Sequence, residues 1–188
     1  MTRAISAIAL LFTICVLSPS AGHAQVCFNG KPLPECKAFW VTEFTYGKGI
    51  GNDDHLLSLD LGMMVNLNEK HAVGGSCYGD LLIGSGKQDD YHLGLKGRYR
   101  YWMNSTLSID ADIGATITSP HLAIIDLDLF YKNWIGVGGR AVFWPDTDYQ
   151  DSETVFYGTF KIGGWPGLSA ATLAAIGLAT AFVLLVGN

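Results

Sequence analysis

The segment HLLSLDLGMMVNLN, residues 55–68, alternates between two kinds of side chain. One phase is apolar from Leu57 to Leu67, whereas the other phase contains Ser58 and Asp60. Because successive side chains of a β-strand point to opposite faces, this alternation predicts a strand with one apolar and one polar face. Whether the apolar face packs in a protein core or in lipid decides the class of protein.

The same alternation recurs in eight segments with turn residues between them. These segments are 38–47, 55–68, 71–80, 91–103, 106–117, 124–132, 134–144 and 154–162. Repeated two-residue periodicity predicts an all-β barrel or sandwich. Tight turns follow the second, fourth and sixth segments. The other links are mostly longer and acidic, although the link after the fifth segment is short. Short turns at one end and longer loops at the other favour an eight-stranded antiparallel up-and-down barrel with periplasmic turns and outer loops.

The polar phase carries most of the charge, with acids and bases nearly balanced. We expect its members to form a charge network in the lumen: Glu43, Asp60, Lys96, Arg98, Arg100, Asp110, Asp112, Asp126, Asp128, Arg140 and Lys161. Glycines share this phase, and small residues beside long charged ones suit a narrow lumen filled by side chains. The uncharged phase instead suits a lipid belt. A membrane barrel is therefore favoured, and a soluble barrel or sandwich with a solvated polar face is the alternative.

Aromatic residues near the predicted strand ends support the lipid belt. They are Tyr46, Tyr91, Tyr101, Tyr131 and Phe143. Membrane barrels carry such aromatic girdles at both interfaces with water.

Turns centred on Asn104 and Asn133 would place opposite charges directly across neighbouring strands. The resulting pairs are Arg98–Asp110, Lys96–Asp112 and Arg140–Asp126. Opposite charges across an antiparallel pair attract each other. We therefore predict that these residues are paired inside the barrel.

Residues 1–24 have the features of a secretory signal peptide, because Arg3 precedes a short apolar core that ends in small residues. A retained membrane anchor is the alternative. Export to an oxidising compartment favours a disulfide between Cys27 and Cys36, which bracket a short loop. We assign residues 25–37 to this N-terminal segment.

Residues 38–162 resemble the small eight-stranded outer-membrane barrels of the OmpA/OmpX type in strand number, loop alternation and charged lumen. The resemblance implies a structural role inside the lumen for Arg98, Asp110, Asp126 and Arg140. These barrels commonly end at the last strand with a C-terminal aromatic residue, which the outer-membrane assembly machinery recognises. The present sequence departs from that pattern, because the barrel segment 38–164 is followed by further residues.

The departure lies in residues 165–188, which are predicted to form an apolar helix. No charge occurs from Leu168 to Val186, and these nineteen residues would span roughly 29 Å as a helix, close to a bilayer core. Pro166 stands where such a helix would begin. The alternatives are an interfacial helix and a tail packed on the outside of the barrel.

Signatures of catalysis are missing from the sequence. It contains no HExxH, GxSxG, P-loop or CxxC motif, and its histidines lack metal-ligand spacing. Calcium binding by the two Asp-x-Asp pairs is less favoured than ion pairing with the bases predicted opposite. A lipid-modifying enzyme would have to use His92 with Ser85, or His121 with Ser119. We therefore expect no enzymatic activity, cofactor or metal.

We predict a non-enzymatic, monomeric outer-membrane barrel with a structural or binding role in the bacterial envelope. Its expected partners are membrane lipid, the assembly machinery and an extracellular partner bound through the acidic loops. The net charge of −5 without a basic patch argues against nucleic acid. The alternatives are a lipid-modifying outer-membrane enzyme and a lipocalin-like carrier, tethered by its C-terminal helix, whose leucines line a pocket.

Overall fold

The computed structural model describes residues 26–27, 30–32, 35–84, 90–145, 152–164 and 169. The predicted signal peptide lies outside these residues, as does the predicted C-terminal helix apart from Ser169. The strands are β1 (Val26–Cys27), β2 (Ala38–Gly49), β3 (His55–Asn66), β4 (His71–Ile83), β5 (Asp90–Trp102), β6 (Leu107–Thr116), β7 (Ala123–Tyr131), β8 (Ile135–Trp144) and β9 (Glu153–Gly163). In the described part of the chain, no helix combines the length and the apolar character needed to cross a membrane.

Strands β2 to β9 form a closed antiparallel barrel, which confirms the predicted eight-stranded up-and-down architecture. Neighbours in the sequence are neighbours in the wall, and β9 pairs back with β2. A path along directly paired residues that starts at Ala38 and runs once around the wall returns to β2 at Lys48, ten residues further along. A barrel closed with such a stagger has strands tilted by about 35–45° to its axis.

The connections separate the two ends of the barrel. Residues 67–70, 103–106 and 132–134 are short turns at one end, which we call the turn end. The longer connections lie at the opposite end, which we call the loop end. Strand β4 continues to Ile83, three residues beyond its predicted end at Asp80, so the following loop is shorter than predicted.

The seam of the barrel is completed by the N-terminal segment. Strand β9 pairs with β2 only from Glu43 to Gly49, and β1 instead lies parallel to β2 at Ala38 and Phe39. The predicted disulfide between Cys27 and Cys36 is confirmed. We call the described residues between 26 and 37 the cap, because they cover the turn end of the lumen.

Asn66 joins the cap to the barrel wall. Its side-chain amide donates hydrogen bonds to the carbonyl oxygens of Lys31 and Cys36, at 2.6 and 2.9 Å. Its side-chain oxygen accepts a hydrogen bond of 2.8 Å from the indole nitrogen of Trp102. Carbonyls only accept and an indole only donates, so these partners fix the orientation of the amide. One buried side chain therefore connects the cap to β5.

The interior contains charged side chains between two apolar layers. The turn-end layer is Phe39, Val41, Met64, Ala72 and Trp102. The loop-end layer is Leu56, Tyr78, Leu122, Ile124, Val142, Val155 and Tyr157. Glycines on inward-facing positions make room for this filling: a Cβ at Gly94 would approach the Tyr78 ring to 2.3 Å, and one at Gly138 would approach an Asp128 oxygen to 2.3 Å.

Candidate functional site

The structure brings all eleven charged residues of the predicted network together inside the barrel. Each is at most 3% exposed: Glu43, Asp60, Lys96, Arg98, Arg100, Asp110, Asp112, Asp126, Asp128, Arg140 and Lys161. They occupy the region between the turn-end and loop-end layers. Charges removed from water are costly unless they are paired, so the contacts among these residues decide whether the interior is stable.

The predicted pairing of β5 with β6 is wrong by two residues. Arg98 lies opposite Asp112, and Arg100 lies opposite Asp110. The expected pair of Lys96 with Asp112 is also not formed in the ladder, because Lys96 faces a glycine on β6.

The error comes from the position of the β5–β6 turn. The Asn104 side-chain oxygen accepts hydrogen bonds from the backbone amides of Thr106 and Leu107, each at 2.8 Å. The turn therefore starts at Asn104 instead of being centred on it, because an asparagine that bonds forward in this way begins a turn. Moving the centre by one residue moves the cross-strand register by two.

The predicted pair of Arg140 with Asp126 is confirmed. The two residues are directly opposite on β8 and β7, and the Nε atom of Arg140 lies 2.6 Å from Oδ1 of Asp126. Arg140 also donates two hydrogen bonds to the Asp80 carboxylate, at 3.0 and 2.9 Å. Asp80 was not predicted to belong to the network, although it shares the inward phase of β4 with Ser76 and Tyr78.

Two lysines bridge further acids of the network. The Nζ atom of Lys96 lies 2.9 Å from an Asp60 oxygen and 3.0 Å from an Asp126 oxygen. The same ammonium group is 4.7 Å from the centre of the Tyr78 ring, which gives it a cation–π contact. Lys161 Nζ lies 2.6 Å from an Asp128 oxygen. The lysines therefore connect strands that are not adjacent in the wall.

Arg98 connects three acids in the middle of the lumen. Its Nη2 atom is 2.8 Å from Glu43, 3.2 Å from Asp112 and 3.5 Å from Asp110. The carboxylates lie on β2 and β6, so this guanidinium spans the barrel from β5 to the seam strand.

Arg100 forms the boundary between the charged region and the turn-end layer. Its guanidinium carbon lies 5.3, 5.0 and 5.2 Å from the ring centres of Phe39, Trp102 and Phe130. Its Nη1 atom donates to the Asn133 side chain, which the β7–β8 turn directs into the barrel. Planar guanidinium groups favour such contacts with aromatic rings. The sequence marks Asn133 only as a turn centre and carries no local signal for its contact with Arg100.

The interior of the described residues holds more acids than bases. Its five cationic side chains are Lys96, Arg98, Arg100, Arg140 and Lys161, and its seven carboxylates are Glu43, Asp60, Asp80, Asp110, Asp112, Asp126 and Asp128. Oxygen atoms of Asp112, Asp126 and Asp128 lie within 4.8 Å of one another and are the set best placed to hold a metal ion. The ammonium groups of Lys96 and Lys161 already contact this set, and they would repel a cation placed there.

The histidines considered for lipid chemistry are not positioned alike. His92 points into the barrel, is 1% exposed and packs edge-on against Trp144, so it does not lie on the outer face of the wall. Its suggested partner Ser85 lies outside the described residues. His121 Nδ1 is 3.3 Å from the Thr116 carbonyl in the β6–β7 connection.

The outward face of the wall has the opposite composition. Among outward-facing positions of the described strands, Lys48 at the loop end of β2 is the one charged residue. Leu127, on the same strand as buried Asp126, is 60% exposed. Polar aromatic contacts lie at both rims, where Tyr46 contacts His55 and Tyr99 contacts the His71 ring. The wall is thus apolar in its middle and amphipathic at its edges.

Comparisons with protein-family models, curated proteins and solved structures give no match to this chain.

Proposed function

We propose that the chain is a non-enzymatic small outer-membrane barrel with a structural or binding role in the bacterial envelope. The observation that carries this proposal is the reversed distribution of polarity: the charges are inside and the aliphatic side chains are outside. Soluble monomers rarely expose one apolar patch larger than a few hundred Å². Lipid accepts an apolar wall, and a closed barrel leaves no backbone group unpaired in lipid.

The height of the apolar wall fits an outer membrane. On β5, the outward-facing Tyr91 and Tyr101 are ten residues apart and lie near the loop end and the turn end. Ten residues cover about 33 Å along a strand, which a tilt of about 40° reduces to an axial height of about 25 Å. Outer-membrane barrels have an apolar band of about 25 Å between aromatic girdles. The aromatic residues of β5 therefore have the spacing of the two membrane interfaces.

The packed interior supports a structural role over conduction or carriage. The lumen is filled by ion-paired side chains and closed by an apolar layer at each end. Leu57, Leu59 and Leu61 of β3 occupy outward-facing positions and cannot line an internal ligand pocket. We assign the binding role to the loop end, where the 50–54 connection and the sequence from 145 to 153 are rich in aspartate. Their partner would be a cationic surface outside the cell.

Membrane fractionation with gel migration tests the proposal. The mature chain should be recovered in the outer-membrane fraction and should resist carbonate extraction. Unheated samples should migrate faster than boiled samples, because a closed barrel stays compact in detergent. Recovery from the soluble periplasmic fraction would contradict the proposal.

A further inference from the structure

The outward face of β2 is covered in its turn-end half. Thr42 points away from the lumen in the middle of the apolar wall, yet it is only 8% exposed. Its hydroxyl donates a hydrogen bond of 2.8 Å to the carbonyl oxygen of Gly164. The outward neighbours Trp40 and Phe44 are half-buried as well. A threonine facing lipid would remain accessible, so another part of the molecule lies over it.

The cover extends to the next strand. The outward leucines Leu57, Leu59 and Leu61 of β3 are half-buried, and Leu61 lies directly opposite Thr42. The corresponding residues of β7 are exposed throughout, with Leu127 at 60%. The two strands belong to one closed wall and carry similar side chains. Their difference therefore marks β2 and β3 as the covered sector.

The chain itself leads onto this sector. Strand β9 ends at Gly163, and Gly164 has a φ of 66°, a left-handed conformation that changes the direction of the chain. The carbonyl of Gly164 is the group bonded to Thr42, so Gly164 itself lies against the outward face of β2. Ser169, the one described residue after Gly164, has helical backbone conformation.

The residues that follow are long enough and apolar enough to cover this sector. Nineteen uncharged residues from Leu168 to Val186 would form a helix of roughly 29 Å, which exceeds the roughly 10 Å between Leu61 and Leu57 along the barrel axis. Small residues are frequent in this stretch, including Ala174, Ala175 and Gly177. Small residues allow a helix to pack closely against a neighbouring surface in lipid.

We propose that residues 165–188 fold back as an apolar helix and pack along the outer wall over β2 and β3. Bulk lipid would cover every strand alike and would not distinguish β3 from β7. A second copy of the chain would not account for the hydrogen bond between Thr42 and Gly164 of the same chain. The segment thus becomes part of the wall instead of a separate membrane anchor. This proposal goes beyond the proposed function and holds whether the wall meets lipid or water.

Crosslinking between engineered cysteines tests the packing in the full mature chain. Leu57 lies four residues closer to the loop end than Leu61 on β3, a distance of about 10 Å along the barrel axis. A helix covers this distance in about seven residues. Leu57→Cys is therefore combined in turn with cysteine at Ala171, Thr172, Leu173 and Ala174, on a Cys77→Ser background. Four consecutive positions sample a complete helical turn, so at least one must face the wall.

The matched control replaces Leu57→Cys by Leu127→Cys on the exposed strand β7. With a short bifunctional thiol reagent in detergent micelles, at least one tail position should crosslink to Leu57→Cys within one chain. Its yield should exceed that of the Leu127→Cys control by at least fivefold. If Leu57→Cys and Leu127→Cys gave equal crosslinking yields at all four tail positions, the proposal would be overturned. Crosslinks found only between chains would overturn it too, because they would identify a second copy as the cover.

Heat-dependent gel migration selects the variants that form the barrel, and Leu59→Cys replaces Leu57→Cys if the latter does not fold. Because the crosslinking is done in micelles, its result is independent of the compartment in which the protein is found. Failure of the proposed membrane location and failure of the helix packing are therefore distinguished by separate measurements.

Discussion

Arg100 donates two parallel hydrogen bonds to Asp110, its direct neighbour across β5 and β6. Nε lies 2.6 Å from Oδ1, Nη2 lies 2.5 Å from Oδ2, and both side chains are fully buried. By contrast, Arg98 reaches Asp110 only at 3.5 Å. Bidentate arginine–carboxylate pairs combine charge with fixed geometry. Asp110 should therefore be energetically coupled to Arg100 much more strongly than to Arg98.

Double-mutant cycles measure this difference. Asp110→Ala should lower the free energy of unfolding by about 3–5 kcal/mol, because it leaves a buried guanidinium without its main partner. Arg100→Met combined with Asp110→Leu should restore much of that loss. The coupling of Asp110 with Arg100 should reach about 2–3 kcal/mol, and that with Arg98 should stay below about 1 kcal/mol. Urea unfolding of the folded barrel gives both values, and equal coupling would contradict the observed register.

Leu127→Arg tests what surrounds the outer wall. Because Leu127 is 60% exposed, arginine there creates no clash within the protein. In a bilayer the change should cost about 2–4 kcal/mol at the midplane. On a wall in water it should change stability by no more than about 0.5 kcal/mol. Unfolding in lipid vesicles measures the cost, and Thr154→Arg near the loop end of β9 is the control, expected to cost about 0–1 kcal/mol.

Asn66→Leu should loosen the cap. The substitution removes the bonds to Lys31, Cys36 and Trp102, and an unpaired buried group costs about 1–3 kcal/mol. Hydrogen exchange of the Trp102 indole N–H, followed by NMR, should become at least tenfold faster. The indole of Trp144 at the loop end should exchange at its original rate. Unchanged exchange at Trp102 would show that Asn66 does not hold the cap in place.

Two glycines in the wall should differ in their response to alanine substitution. A Cβ at Gly62 would lie 2.1 Å from the backbone oxygen of Gly75, whereas a Cβ at Gly158 would meet no atom within 4 Å. Gly62→Ala should therefore destabilise the barrel by about 1–3 kcal/mol or more, because the backbone must move. Gly158→Ala should have an effect within about 0.5 kcal/mol. Thermal unfolding of the two variants measures the difference. Equal unfolding midpoints would contradict the close packing at Gly62.

The faces of the strands could be predicted from the sequence because the two-residue period is a direct consequence of strand geometry. In β3, the phase that contains Asp60 points inward, and the phase that contains Leu59 points outward. Register was harder to predict, because it depends on the detailed hydrogen bonding of each turn. The turn at Asn133 was centred correctly, whereas the forward hydrogen bonds of Asn104 shifted the other turn.

Other features depend on contacts between distant parts of the chain. Asp80 ends the predicted segment 71–80, where the glycines of β4 weaken the alternation, and its place in the network depends on its contact with Arg140 of β8. The cover over Thr42 could not be deduced from β2, because it depends on the direction that the chain takes at Gly164. The local residue pattern therefore predicts the strands of the wall and their two faces. Contacts between residues far apart in the sequence determine how the barrel closes and which part of its outer face is covered.

The seam between β2 and β9 also has a consequence for folding. Every other pair of neighbouring barrel strands is joined by a single turn or loop, whereas this ladder joins strands separated by the six strands between them. Loop-closure entropy disfavours so distant a contact until the intervening hairpins have formed. Before that step the curved sheet has two unpaired edges, which invite aggregation with other chains. Formation of the β2–β9 ladder from Glu43 to Gly49 is therefore the folding step that removes the two unpaired edges and ends the risk of edge-to-edge aggregation.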